Sequence, residues 1–453
     1  MKKLFSLILT ALIIAGSFFC VPVSAVYDAE KENLTLHSDS YLLISAESGE
    51  IIFSKNPGKQ TPPASLTKIV TAIVVVENCG DLNSIVTVPQ SAIDELSGTG
   101  SSMGGLKGGE QLSVYNLLCY MLIMSANDAA TTLADYITNG DRAAFVAKMN
   151  EVTERLGCKD THFVNPHGLD DDDQYTNAED MAAFMAYAMT LPAFSEIIGK
   201  TTYSMPESNL RKQHTIRNTN YLLNKAYPDY YSKYCKGGKT GSTVNAGTCL
   251  VTYASNNGYN YVAVALDAPK KDYDNDGVEE NGAFLDCKAM FDWTFKNIEL
   301  VAICEPSQVV AEVPVRYAKS TDYMTLSPAE TVYSLVPVGT KAGSLLIEPI
   351  AETVPEFIRA PIKKGDVICK AKVLYAGTVI KEIDLVATSS LERNVFAYIG
   401  TQVLALVSTW PFRIISAVVI IALIILLILR RRKSKTRSSD YRVLSYNDFI
   451  KFK

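Results

Sequence analysis

The sequence predicts an α/β protein of the α+β type, in which an antiparallel sheet lies between helical layers and carries a helical insert. A small all-β domain and a C-terminal transmembrane helix follow. Strand patterns lie on both sides of a helical stretch from Ser65 to about Leu191, short alternating strands begin near Leu300, and an uncharged apolar run extends from Ile414 to Leu429. Because strands bracket the helices, we expect one sheet covered by helices.

The N-terminus has the composition of an export signal. Lys2 and Lys3 precede an almost wholly apolar run from Leu4 to Phe19, and Val23-Ser24-Ala25 offers small residues at the cleavage positions. We expect cleavage after Ala25, with an uncleaved anchor as the alternative. The chain is therefore predicted to be exported.

The C-terminal apolar run has the length of a membrane span once its aromatic flank is included. From Trp410 it gives about 20 residues, or roughly 30 Å of helix. The basic block from Arg430 to Lys433 belongs on the cytoplasmic side. A helix lying in the interface is the alternative, but the run has no polar face.

Composition excludes several classes of function. Hydrophobic content of 48% and charged content of 20% are globular values, and a net charge of −5 gives no indication of nucleic acid binding. Eight of the nine cysteines follow the signal, and none has CxxC spacing. The four histidines lack metal spacing, so we expect neither a metal nor a cofactor.

Strands should lie on both sides of the helical insert in the first domain. Tyr41–Ile44 and Ile51–Phe53 read as a hairpin. Farther along, Thr248–Ala254 and Tyr261–Leu266 flank Asn256-Asn257-Gly258, which is a strong turn signal. A closing helix begins near Gly282. Adjacent hairpins indicate an antiparallel sheet.

Helices dominate the insert between these strands. The stretch "EQLSVYNLLCYMLIMSANDAATTLADYI" holds two apolar helices on either side of Ser125-Ala126-Asn127, and "AEDMAAFMAYAMT" is another helix. From about Leu300 the sequence pattern changes to short alternating strands separated by turns that contain Gly and Pro. That region contains no motif that indicates catalysis, and we expect it to serve as a spacer or docking domain.

Ser65 and Lys68 form the first candidate catalytic pair. Pro62 and Pro63 fix a helix entry, and a spacing of three residues brings the two side chains onto one helix face. The first-turn amide of Ser65 has no intrahelical partner and is free to bind an oxyanion. Alone, the Ser-x-x-Lys spacing is weak evidence for a catalytic pair. A surface lysine whose alkyl stem lies along the protein while its ammonium group reaches water also explains it.

Two further clusters strengthen the pair. Ser125 and Asn127 sit at a helix break, and Lys239-Thr240-Gly241 opens the second strand pair. A lysine and a threonine hydroxyl can hold a carboxylate, and a glycine leaves room for a peptide backbone along a strand edge. Each has an ordinary alternative, such as a capping serine or a turn, but the set of three in this order is hard to attribute to chance.

With these motifs, residues 36 to about 296 resemble the low-molecular-mass penicillin-binding proteins that are serine-type D-alanyl-D-alanine carboxypeptidases. The matching stretches include "PASLTKIVTA", "MSANDAA", "FVNPHGLDDDDQYTNAEDMA" and "GGKTGSTVNAGTCLV". The resemblance implies the penicillin-binding/β-lactamase-like fold and a peptidoglycan stem peptide ending in D-Ala-D-Ala as substrate. It also implies β-lactam antibiotics as covalent inhibitors. Ser-Ala-Asn, in place of Ser-Asp-Asn, favours the carboxypeptidases over class A β-lactamases.

The resemblance also implies roles for the first two motifs. Ser65 would be the acylated nucleophile and Lys68 its base. Ser125 would relay a proton to the leaving D-alanine, and Asn127 would position the substrate amide.

For the third motif, the resemblance implies substrate binding. Lys239 and Thr240 would hold the terminal carboxylate, Gly241 would make room for the substrate, and the amides of Ser65 and Ser242 would form the oxyanion hole.

The expected domain organisation follows. The segments are a signal peptide at 1–25, a serine DD-peptidase domain at 26–298, an all-β domain at 299–392, a linker at 393–409, a transmembrane helix at 410–430 and a basic cytoplasmic tail at 431–453. We expect a cell-membrane enzyme with its catalytic domain outside. The alternatives are a β-lactamase of the same fold or a DD-endopeptidase; a penicillin sensor would need a larger cytoplasmic region.

One acidic loop has a partial calcium pattern. Asp272, Asp274, Asp276 and Gly277 match the start of a calcium-binding loop, but the twelfth position is Ala283 where a bidentate Glu is needed. We therefore interpret the segment as a solvated acidic loop.

Overall fold

The computed structural model describes residues 27–340, 345–375 and 378–437. The predicted signal peptide at 1–25 and the tail beyond residue 437 lie outside the described residues. The chain separates into two compact units: the first runs to Leu300 and includes Leu335–Thr340, and the second comprises Val301–Ser334 and the chain beyond residue 340.

The first unit contains eight described α-helices and eleven described strands. The helices are α1 (Thr67–Asn78), α2 (Ser91–Asp94), α3 (Val114–Ile123), α4 (Asn127–Thr138), α5 (Arg142–Arg155), α6 (Ala178–Met189), α7 (Pro192–Ile198) and α8 (Gly282–Asn297). The strands are β1 (Ser40–Ser45), β2 (Ile51–Lys55), β3 (Ile85–Thr87), β4 (Gln111–Ser113), β5 (Thr202–Met205), β6 (His214–Arg217), β7 (Cys235–Thr243), β8 (Gly247–Asn256), β9 (Tyr259–Ala268), β10 (Lys270–Lys271) and β11 (Glu280–Asn281). Short 3₁₀ turns occupy Ala64–Leu66 and Tyr221–Leu223.

The central sheet confirms the predicted architecture. Its five strands are antiparallel in the order β2-β1-β9-β8-β7, so the N-terminal hairpin pairs directly with the strands that follow the helical insert. The Asn257-Gly258 turn joins β8 to β9 with φ values of 52° and 86°. Both angles are left-handed, as a two-residue hairpin turn requires.

The sheet separates two hydrophobic cores. Alternate residues of β9 point to opposite faces: Val262 and Val264 pack with α1 and the other insert helices, whereas Ala263 and Ala265 pack with Phe291 of α8. Each helical layer therefore covers one face of the sheet. The insert also contains two small two-stranded antiparallel sheets, β3–β4 and β5–β6, that the sequence pattern did not predict.

The second unit is built mainly from strands. Six strands belong to it entirely: β13 (Ala311–Arg316), β14 (Tyr323–Pro328), β16 (Leu345–Pro349), β17 (Ile358–Arg359), β18 (Val367–Tyr375) and β19 (Thr378–Ala387). Two more, β12 (Ile298–Cys304) and β15 (Val332–Pro337), are divided between the two units. Six of them form a sheet in the order β16-β18-β19-β14-β13-β17. This is the all-β architecture that the sequence predicts after Leu300.

Two helices end the described chain. They are α9 (Val395–Ser408) and α10 (Trp410–Arg437). Within α10, Trp410–Arg432 has the length and apolar composition needed to cross a membrane, with a mean hydropathy of 3.1. The segment expected to be a linker, 393–409, is thus largely helical.

Candidate active site

Ser65 lies in a short, firmly held turn at the entrance to α1. The turn is 3₁₀, Ala64 has a φ of 48°, and Thr67 Oγ1 donates to Ala64 O at 2.8 Å. Gly168 packs against the turn from outside: a Cβ there would lie 1.8 Å from Ala64 O. A left-handed alanine is strained, so the surrounding contacts must fix the position of the serine.

Lys68 is fully buried in the first turn of α1, and its Nζ lies near three oxygens. These are Ser65 Oγ at 2.9 Å, Asn127 Oδ1 at 2.6 Å and the His167 carbonyl oxygen at 2.5 Å. The amide and carbonyl oxygens can only accept hydrogen bonds. A neutral amine would use its two N–H groups on them, which leaves its lone pair directed at the hydroxyl of Ser65.

Burial lowers the pKa of Lys68 well below its ordinary value. The charge of Lys239 lowers this pKa further, whereas the carboxylate of Asp128 raises it. The first cause is loss of hydration of the ammonium group, and the second is repulsion between two cations in a low-dielectric site. The surface-lysine interpretation of Ser-x-x-Lys is therefore excluded for Lys68.

Ser125 and Lys239 form a second serine–lysine pair. Ser125 lies between α3 and α4 with a φ of 66°, an uncommon conformation for a residue with a side chain. Its Oγ accepts from Lys239 Nζ at 2.8 Å, and Nζ also donates to Thr240 O at 2.8 Å. Burial lowers the pKa of Lys239 to about 7. The two candidate motifs, 114 residues apart, thus meet directly.

The third motif lies inside β7, which is an edge strand, and not at the turn that opens the strand pair. Thr240 Oγ1 is 2.7 Å from Thr219 Oγ1, and Ser242 is exposed. A Cβ on Gly241 would lie 3.2 Å from Ala64 Cβ and 3.3 Å from Leu66 Cγ. Glycine therefore lets β7 pack close to the Ser65 turn, while the strand edge stays open to an extended peptide.

Two supporting residues lie outside the three sequence motifs. Asp128 is fully buried, and its carboxylate accepts from the amides of Gly104 at 2.8 Å and Leu106 at 3.0 Å. The carbonyl oxygen of His167 accepts a hydrogen bond from Lys68 Nζ. Burial, Lys68 and Arg142 lower the pKa of the His167 ring to about 3. The sequence feature that could have identified Asp128 is its charge, directly after Asn127 in an otherwise apolar helix.

The acidic loop does bring its carboxylates together. Oxygens of Asp272, Asp274, Asp276 and Glu280 lie within 4.8 Å of one another. Several accept from loop amides, including Asp272 Oδ2 from the amide of Gly277 at 3.0 Å. The loop contributes none of the residues described around Ser65.

A buried serine–lysine pair below an open strand edge, on a sheet between helical layers, is the site of a serine hydrolase with the penicillin-binding fold. The sequence-family model of D-alanyl-D-alanine carboxypeptidases matches residues 27–270. The sequence-family model of the penicillin-binding protein 5 C-terminal domain matches residues 299–393. The chain belongs to the D-alanyl-D-alanine carboxypeptidase family, as its sequence motifs imply. It is a serine-type D-Ala-D-Ala carboxypeptidase.

Individual relatives are similar to this chain over most of its length. D-alanyl-D-alanine carboxypeptidase DacF of Bacillus subtilis is 28% identical over 398 residues, which covers 87% of this chain and 96% of that protein. D-alanyl-D-alanine carboxypeptidase DacA of Haemophilus influenzae is 30% identical, and the match covers 75% of this chain and 80% of that protein. The crystal structure of penicillin-binding protein 5 from Haemophilus influenzae superposes with a TM-score of 0.64 at 27% identity. The superposition covers 79% of this chain and 98% of that chain.

Proposed function

We propose that the enzyme removes the terminal D-alanine from peptidoglycan stem peptides through an acyl-enzyme on Ser65. The observation that carries this assignment is the position of Lys68 Nζ, 2.9 Å from Ser65 Oγ and bound to two further oxygens that can only accept. Penicillin would react at the same hydroxyl and block it. No metal or cofactor takes part in this scheme.

Acylation begins with the transfer of a proton from Ser65 Oγ to Lys68 Nζ. The oxygen forms a bond to the carbonyl carbon of the penultimate D-alanine, and the amides of Ser65 and Ser242 stabilise the resulting oxyanion. The C–N bond then breaks. The proton taken from Ser65 is delivered through Ser125 to the leaving amine, so both lysines end the step as they began. Water attacks the ester in the same way, with Lys68 again as base.

Lys239 and Thr240 bind the terminal carboxylate of the substrate. A carboxylate next to Lys239 favours the protonated amine, and a charge-assisted hydrogen bond is worth about 1.5–3 kcal/mol. Asn127 positions the substrate amide, and the stem peptide extends along β7. The Lys239 pKa of about 7 in the empty site is compatible with this role, because substrate binding raises it.

The enzyme is proposed to act at the outer face of the cell membrane. The signal peptide directs residues 26–298, the catalytic domain, and 299–392, the all-β domain, to the outside. Helix α10 then crosses the bilayer once, supported by its apolar composition and by the basic residues that follow Leu429.

The test is intact-mass and product analysis with the purified full-length chain. We expect a pentapeptide stem to lose one D-alanine, and penicillin to add its full mass to the wild type and to Ser97→Ala, a substitution of an exposed serine, but not to Ser65→Ala. Labelling of Ser65→Ala at the wild-type level would refute the assignment. Rapid release of hydrolysed penicillin with no effect on the peptide would instead identify a β-lactamase.

A further inference from the structure

Thr219 lies between the second and third sequence motifs of the active site, although neither motif contains it. Its backbone amide donates to the carbonyl oxygen of Ile123 at 3.0 Å, two residues before Ser125. Its side-chain Oγ1 lies 2.7 Å from Thr240 Oγ1. Thr219 thus connects the end of α3 to β7 at the place where the carboxylate of the substrate is proposed to bind.

The residues on either side of Thr219 hold it in place. Asn218 and Asn220 are buried, and the Asn220 amide donates to Asn218 Oδ1 at 2.9 Å. Asn218 Nδ2 donates to the carbonyl oxygen of Lys200, also at 2.9 Å. A Cβ on Gly238 of β7 would lie 2.6 Å from Asn220 Nδ2, so this segment packs tightly against the strand. The position of the Thr219 side chain is therefore fixed by its buried neighbours.

The backbone of Thr240 is held as well, but its hydroxyl hydrogen is not. Thr240 pairs with Leu250 in the sheet, and its carbonyl oxygen accepts from Lys239 Nζ at 2.8 Å. In the contact between the two hydroxyl groups, either threonine can be the donor. A hydroxyl has only one hydrogen to donate. If Thr240 donates it to Thr219, none is left for the carboxylate of a substrate.

A bound carboxylate selects one of these two arrangements. Because an ionised carboxylate only accepts hydrogen bonds, Thr240 can serve it only as a donor. Thr219 must then donate to Thr240 Oγ1, and both hydroxyl hydrogens point along one chain from Thr219 to the substrate. Hydrogen bonds in such a chain polarise and strengthen one another. A methyl group in place of Thr219 Oγ1 would remove this donor and leave the Thr240 hydroxyl free to rotate away from the substrate.

We propose that Thr219 is a positioning residue that directs the Thr240 hydroxyl toward the free carboxylate on the leaving group of the substrate. This rests on the proposed function, in which Lys239 and Thr240 bind that carboxylate. Within the described part of the chain, Thr219 makes no hydrogen bond to Ser65 or Lys68, so proton transfer between those two residues does not depend on it. Thr219 therefore acts on the choice of substrate: it favours leaving groups that carry a carboxylate over those that do not.

The test compares two substrates that differ only in this carboxylate, with the purified full-length chain. They are the thioester of N-benzoyl-D-alanine with thioglycolate and the methyl ester of that compound. A thioester is reactive enough for the neutral compound to be cleaved at a measurable rate, and the released thiol gives kcat and KM for each substrate.

Four variants separate orientation of the hydroxyl from general damage. Thr219→Val removes the hydroxyl and keeps the shape of the side chain, whereas Thr219→Ser keeps the hydroxyl. Thr215→Val, at an exposed position on β6, is the matched control. Thr240→Val, alone and combined with Thr219→Val, shows whether the two hydroxyl groups act through one another.

We expect Thr219→Val to lower kcat/KM for the substrate with a free carboxylate by about tenfold, which is the scale of one hydrogen bond to a charged group. For the methyl ester, the same variant should change kcat/KM by less than about twofold. Thr219→Ser and Thr215→Val should behave like the wild type with both substrates. Thr219→Val should add little to the loss caused by Thr240→Val, because the first hydroxyl acts through the second.

Two results would overturn this proposal and leave the proposed function standing. One is an equal loss for both substrates in Thr219→Val, which would mean general damage to the site. The other is full additivity of Thr219→Val and Thr240→Val. Labelling of Ser65→Ala by penicillin at the wild-type level would instead refute the proposed function, and the role of Thr219 would fall with it.

Discussion

The two buried lysines of the site have the same chemistry and different surroundings. Each is fully buried, and each lies within 3 Å of a serine hydroxyl. Lys68 also contacts two oxygens from distant parts of the chain, whereas the other partner of Lys239 is the carbonyl of its own neighbour, Thr240. The pKa of Lys239 falls to about 7, and that of Lys68 falls well below its ordinary value under both burial and the charge of Lys239.

This comparison suggests how one pocket obtains a base and a cation from identical side chains. The first lysine to be protonated repels the proton from the second. Rigid acceptors around Lys68 fix its lone pair toward Ser65, while the edge-strand lysine keeps a proton available for an anionic substrate.

The largest effect is expected from Lys68→Arg. Arginine keeps the cation but cannot release its proton, so acylation by penicillin should slow by about 10²-fold or more. Second-order acylation rates across pH, together with a thermal melt, provide the measurement. Lys159→Arg, at an exposed position, is the control. A Lys68→Arg variant that melts like the wild type and acylates within a few-fold of it would show that Lys68 is not the base.

Lys239→Ala should act on binding more than on the chemical step. Loss of the carboxylate partner should raise KM by about 10–100-fold. Because Lys239 lowers the pKa of Lys68, its removal should also move the acidic limb of the acylation profile to higher pH. Steady-state kinetics with a D-Ala-D-Ala peptide and the pH profile with penicillin separate the two effects. If the acidic limb of the acylation profile stayed at the same pH in Lys239→Ala, the result would contradict an effect of Lys239 on the pKa of Lys68.

Lys239→Met should change how stability depends on pH. In the folded protein Lys239 loses its proton near pH 7, whereas in the unfolded chain it does so near 10.4. Above pH 7 the unfolded state therefore binds more protons, and the wild type gains stability as pH rises. Relative to Lys239→Met, the wild type should gain about 2 kcal/mol between pH 7 and 9. Urea denaturation of both proteins at each pH tests this; a constant difference would contradict it.

The smallest effect should come from Asp128→Asn. Asp128 raises the pKa of Lys68, so removing its charge should move the acidic limb to lower pH by less than about one unit. An amide N–H in place of one carboxylate oxygen would also face the amide of Gly104 or Leu106, so we expect a modest loss in thermal stability. Asp160→Asn is a surface control. Movement of the limb to higher pH would contradict the assigned role of Asp128.

The sequence predicted those parts of the site that depend on local spacing. Ser65 and Lys68 are three residues apart at a helix start, so their local spacing predicts that the two side chains lie close together. The Asn257-Gly258 turn and the alternating strands around it likewise fixed the pairing of β8 with β9. The same reasoning gave the sheet and its helical insert.

Other parts depended on tertiary packing and left little trace in the sequence. The His167 carbonyl that binds Lys68 is a backbone group, which any residue could supply at that position. Thr219 Oγ1 lies 2.7 Å from Thr240 Oγ1 although 21 residues separate them in the chain, so sequence spacing does not predict this contact. Ser65 lies in a 3₁₀ turn where we expected the first α-helical turn, and Gly168 and Gly241 of β7 pack closely against this turn.

The unpaired edge of β7 has a consequence for handling the protein. An edge strand kept open for a peptide is also a template on which another unfolded chain can add a strand and start aggregation. Gly237, Gly238 and Gly241 reduce the intrinsic β-propensity of β7, and exposed Lys236 adds a charge to it. A bound ligand that covers this edge should therefore slow self-association during purification as well as inhibit the enzyme.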